Sequence, residues 1–136
     1  MRLIPAILCS AALLAGLQAQ AHSRTSRRGP GAAVYAPAQG MLSSLNSMSF
    51  TLNQVDSRQK ADSAAPALLE QHQQYLQQRE AAEHMPDMPQ RAMEQHLARL
   101  DTAMNSFRLA CARLLREKCY GSTRLGGAIK HVIQDF

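Results

Sequence analysis

The residues with the most chemical potential in this chain are the metal-donor side chains of His84-Met85-Pro86-Asp87-Met88, followed by Met93 and His96. Thioethers and imidazoles are the ligands that Cu(I) and Ag(I) prefer, and a Met-x-x-Met pair at a turn can converge on one ion. His84, Met85, Met88 and His96 are therefore the candidate metal ligands. The same residues also have a plainer account. His-Met-Pro stops a helix, Met93 belongs to an apolar helical seam, and seven methionines are spread along the chain.

Cysteine offers a second chemistry. Cys9 lies inside an apolar N-terminal run, which leaves Cys111 and Cys119 in the body of the chain. On one continuous helix these two would sit about 12 Å apart along the axis, and a disulfide needs Cα atoms within about 7 Å. Three states compete: a bend between Leu115 and Cys119 that closes an intrachain bond, pairing between two copies, or two reduced core residues. An oxidising compartment favours pairing, and an intrachain Cys111–Cys119 bond is the expectation, provided the helix ends early. Neither the spacing nor the neighbours match a redox C-x-x-C or a zinc site.

Catalytic patterns are missing. There is no His-Glu-x-x-His, no Glu-x-x-His pair for a di-iron bundle, no Gly-x-Ser-x-Gly and no phosphate-cradling glycine loop. A methionine of the first helix and His131 could ligate a haem, but no Cys-x-x-Cys-His attachment accompanies them. The carboxylates fall mainly on polar helix faces. The sequence thus points to a non-enzymatic protein with no cofactor.

The element that must position these groups spans residues 87–119. Met93, Leu97, Leu100, Met104, Phe107, Cys111 and Leu114 recur there at alternating spacings of four and three, the a/d seam of an amphipathic helix. Asp87 and Gln90 have the spacing of a capping box, and Gly121 suits a C-cap after Arg116 and Lys118. Burying this seam is the largest favourable contribution visible in the sequence, so other segments should fold onto it.

Met41, Leu45, Met48, Leu52 and Val55 repeat the same spacing and predict a first helix over residues 41–56. A short strand through Met48, Phe50 and Leu52 competes, but it has no partner. A second helix is expected over residues 64–84, capped by Asp62 or Ser63, with Pro66 in its first turn and with Ala65, Leu68, Leu69, Tyr75 and Leu76 on one side. His72 reads as a packed histidine of that helix. Pro86 and Pro89 end it. A last short helix runs through Leu125, Ile129, Val132 and Phe136, with Gly126-Gly127 near its start.

Aromatic content is only 4%, with no Trp, so the core must be built from Leu, Ala, Met and Ile, which suits helices. The expected fold is all-α: a small antiparallel bundle of three to four helices in one domain, residues 41–136. Arg2, the apolar run from Leu3 to Leu17 and Ala19-Gln20-Ala21 have the form of a signal peptide over residues 1–21, which places the mature protein outside the cytoplasm, secreted or periplasmic. Residues 22–40 read as a disordered basic tail of Gly, Pro, Ala, Ser and Arg. Arg27-Arg28 within it admits dibasic processing, which would make the product a secreted helical signalling peptide.

Formal net charge is +5, with Arg108, Arg113, Arg116, Lys118, Arg124 and Lys130 crowding the C-terminal part. Arg99, Arg113 and Arg116 fall off the seam, as a solvated outer face requires. With no aromatic residues interleaved for base stacking, nucleic acid is not an expected partner, and contact with an anionic membrane surface is not favoured. The leading expectation is protein–protein binding or self-association through the apolar seam, since methionine adapts to irregular partners. Soft-metal binding is the runner-up.

Overall fold

A computed structural model describes residues 34–136; the expected signal peptide and the Arg27-Arg28 site lie outside the described residues. From Tyr35 onward the chain is all-α, a bundle of four helices with no strand among the described residues. They are α1 (Ala36–Asn53), α2 (Arg58–Glu83), α3 (Gln90–Arg116) and α4 (Thr123–Ile133), with a short turn of helix, Lys118–Gly121, before α4.

The first helix starts inside the segment expected to be tail. Pro37 sits in its opening turn, where a missing N–H costs nothing, and Ala38 is already buried. Its apolar stripe then behaves as its spacing predicts: Leu45, Met48 and Leu52 are fully covered, while Phe50 of the competing strand reading faces solvent. Helix α2 also starts early. Ser57 is the cap, its Oγ accepting from the Lys60 N–H at 3.2 Å, so Asp62 and Ser63 lie inside the helix and Pro66 stands well past its first turn. Pro66 is exposed, so its ring crowds no neighbour from another helix.

The capping box at the start of α3 does not form. Pro89 takes the N-cap position, where it has no side chain to accept a bond, and Gln90 reaches forward to Glu94 instead. The Asp87 carbonyl accepts from the Tyr35 hydroxyl at 3.4 Å, tying the α2–α3 turn to the start of α1. At its other end α3 stops at Arg116, short of the expected Gly121. Lys118, Cys119 and Tyr120 adopt φ of 51°, 53° and 53° ahead of Gly121 at 83°. A left-handed conformation costs a residue with a Cβ about 1–2 kcal/mol, so this reversal must be held from outside.

Contacts define the packing order. Helix α1 lies between α2 and α3, and α2 lies between α1 and α4. Phe136, just beyond α4, closes the ring by packing its aromatic side chain on Phe107 of α3, ring centroids 5.2 Å apart. Successive helices run in opposite directions, which sets α1 and α3 side by side in parallel, Tyr35 near Asp87 and Leu52 near Arg113. Helices α2 and α4 are parallel too, Asp62 bonded to Ser122 and His72 to Asp135.

Two residues, Ser122 and Arg113, supply the polar links at the lower end. Ser122 caps α4 by accepting from the Leu125 N–H at 3.1 Å while its hydroxyl donates to Asp62 of α2. Arg113 is not part of a solvated face: its guanidinium donates to the carbonyls of Leu52 at 2.9 Å and Val55 at 3.3 Å, satisfying the end of α1, and reaches the Tyr120 hydroxyl at 3.5 Å. A charge on the C-terminal carbonyls of a helix is well placed electrostatically. Arg113→Ala should therefore cost about 1.5–3 kcal/mol in urea unfolding, whereas the exposed Arg116→Ala should stay within about 0.5 kcal/mol of wild type.

Candidate functional site

The long seam of α3 divides into two halves. Phe107, Cys111 and Leu114 are fully buried, and Leu100 and Met104 are partly buried against the same core. Met93 and Leu97 continue the stripe into solvent, 37% and 53% exposed. The expectation that all seven seam side chains are buried thus fails for its N-terminal part. The reason is length: α3 has 27 residues and α4 only 11, so about 40 Å of helix faces about 16 Å of cover. Phe136 marks the upper limit of that cover, between Phe107 and Tyr75. Above it Met93 and Leu97 have no helix among the described residues laid along them.

The candidate soft-metal ligands are split by the fold. Met88 and His96 line one cleft of about 200 Å³ between the start of α1 and the start of α3, together with Tyr35, Gln39 and Arg99. His84 caps the end of α2 in solvent and Met85 follows it, and neither lines that cleft. Arg99 places a positive charge in the same cleft, which opposes a metal cation. Among the described residues no group of three or more His, Cys, Asp or Glu side chains converges as a metal site.

His72 is a packed histidine, as its place on α2 implies, but with a partner the sequence did not suggest. Its Nε2 lies 2.8 Å from Asp135 Oδ2, and its ring meets His131 edge-on at 5.7 Å and Phe136 at 6.3 Å. In the neutral tautomer that matches this bond, Nε2–H donates to the carboxylate and Nδ1 is left as a buried acceptor with no partner. An imidazole–carboxylate pair can serve as a general base only if the free nitrogen reaches a substrate. Here the ring is 1% exposed, and the pair fastens the C-terminal segment to α2. Arg108 adds to this fastening by donating to the Phe136 carbonyl at 3.0 Å. Asp135 and Arg108 lie 63 and 28 residues from their partners, so no local pattern could have found them.

Cys111 and Cys119 are both buried in the core cluster as free thiols. The left-handed reversal after Arg116 supplies the bend that an intrachain bond requires. Burial pushes the Cys111 thiol up to about 12, with the neighbouring Cys119 adding to the effect. Burial also raises Cys119, partly offset by Lys130, and raises Tyr75, partly offset by Arg79.

No family model, no curated protein and no solved structure matches this chain. No helix among the described residues is long and apolar enough to cross a membrane.

The thiols define a pH response. The folded protein holds the Cys111 proton more tightly than the unfolded chain, whose thiol titrates near its ordinary value of 9. Unfolding therefore releases a proton above that pH, and stability of the reduced protein should be level below pH 9 and fall as pH rises toward about 12. Urea midpoints measured in reductant across this range should show the fall, and Cys111→Ala should flatten it.

Proposed function

We propose that this chain is an exported, non-enzymatic binding protein whose partner supplies an amphipathic helix to the uncovered half of the α3 seam. The observation that carries the reading is the exposure of Met93 and Leu97 in register with the fully buried Phe107, Cys111 and Leu114. Among the described residues no helix continues α4 along this stripe, and the partner would supply a helix of about three turns with apolar residues at spacings of three and four. Methionine at both ends of the open stripe suits a surface that must adapt to a partner. Other exposed apolar residues, such as Phe50 and Leu109, lie off this stripe and call for no such account. Export rests on the signal-like form of residues 1–21.

A photo-crosslinking residue in place of Leu97 in the full exported chain tests the reading directly. Crosslinking to one defined polypeptide is expected, with none from the exposed position Gln73 on α2. With the crosslinker kept at position 97, Met93→Glu should lose that capture while helicity and the unfolding midpoint stay near wild type, because Met93 is exposed and outside the core cluster. A crosslink joining two copies of this chain would make the partner helix its own, and no defined product from Leu97 would reject the proposal.

Metal binding is retained as a second reading on one observation, the convergence of Met88 and His96 on a single cleft. Replacing Met88 by Leu and His96 by Gln should abolish Cu(I) retention in competition with a chelator while preserving helicity. Unchanged retention would remove this reading.

A further inference from the structure

We propose that Cys111 and Cys119 form a thiol–disulfide site, in which the reversal after α3 is set to close an intrachain bond when the protein meets a small-molecule disulfide such as oxidised glutathione. The backbone carries the first part of the argument. A helix that needed only to stop could do so with a single left-handed glycine, and Gly121 was at hand. Instead α3 ends at Arg116, and three residues with side chains, Lys118, Cys119 and Tyr120, turn left-handed before that glycine. Backbone strain of this kind persists where the surrounding structure demands it and points to a function.

What the turn achieves is the return of Cys119 to the core. Its neighbours Lys118 and Gly121 are exposed, yet Cys119 is 2% exposed, within 3.9 Å of the position a Cβ on Gly126 would take. It enters the same apolar cluster as the fully buried Cys111. On a straight helix the two would stand about 12 Å apart along the axis, out of bonding range. The turn is held by Tyr120 N–H to the Glu117 carbonyl at 3.1 Å, by Ser122 N–H to the Cys119 carbonyl at 2.9 Å, and by Arg113 at the Tyr120 hydroxyl.

The chemistry is an exchange in two steps. Cys119, on the strained turn beside exposed residues, is the first to react when the turn opens: its thiolate attacks one sulfur of the oxidant and releases one small thiol. Cys111 then attacks Sγ of Cys119, forming the intrachain bond and releasing the second small thiol. Two protein thiols are oxidised, one disulfide is reduced to two thiols, and the two protons leave on those thiols. Cys111 gives its proton to the small thiolate released in the first step and attacks as the thiolate, reaching only the sulfur that the turn delivers to it.

The test is a disulfide map of the full chain held in a glutathione redox buffer, quenched in acid and alkylated after unfolding. Trypsin cuts between the two cysteines at Arg113 and Lys118, so the bond joins the peptides of residues 109–113 and 119–124. That linked pair, from protein of monomer mass, is expected. Both peptides carrying alkylated thiols would overturn the proposal, as would a bond to Cys9 or between copies. Thermal unfolding gives an independent reading: the oxidised protein should melt on the order of 10 °C above the reduced one, and Cys119→Ser should erase the difference. Equal midpoints for wild type in the two redox states would count against the site even if the variant fails to fold.

Discussion

The apolar stripe of the first helix is the constraint on which the rest of the molecule depends. Leu45, Met48 and Leu52 are fully buried, and they lie on the helix that packs against both α2 and α3. Fully burying side chains of this size stabilises by about 1.5–3 kcal/mol each, and α1 packs against both α2 and α3. Because α1 occupies the space between them, α2 and α3 stand diagonally across the bundle. A fourth element is then needed to close the remaining side, and α4 closes only part of it.

That partial closure divides the protein into two regions of different character. Below Phe136 the helices enclose Phe107, Cys111, Leu114, Leu125, Ile129 and Val132, all fully covered. Above it none of the residues of α3 before Ala103 is buried. Few buried apolar contacts imply low local stability, and regions of that kind are where proteins reserve surface for partners. The long helix is thus anchored at one end and presented at the other.

Polar contacts do their work at the anchored end. Arg113 satisfies the final carbonyls of α1, Asp62 holds the cap of α4, and His72 holds Asp135. Each joins residues from different elements; Arg113 and Asp62 stand beside the left-handed reversal that follows α3, and the His72–Asp135 pair lies beyond the far end of α4. A reversal carrying three side chains through a conformation suited to glycine would not persist without such neighbours. Burial in the same region raises both thiols above their ordinary titration range.

Sequence alone determined the helical class, the apolar stripe of α1 and the break between α2 and α3. These follow from local rules: Met41, Leu45, Met48 and Leu52 repeat at spacings of three and four, and Pro86 and Pro89 forbid helix where they stand. The seam of α3 was legible as a pattern, but not which half of it would be covered, since spacing is a property of one helix and burial depends on the length of another. The candidate ligands His84, Met85, Met88 and His96 were adjacent in sequence, yet only Met88 and His96 share a cleft, because the turn between helices points neighbouring side chains in different directions. Helix boundaries shifted where a stronger local preference intervened, as when Pro89 displaced the expected capping box and Ser57 capped α2 ahead of Asp62. Tertiary structure decided the rest. His72 with Asp135, Arg113 with the end of α1 and Cys119 folded back into the core cluster that holds Cys111 all join residues from separate elements or across a chain reversal, and no periodicity within a single helix encodes where another helix will stop.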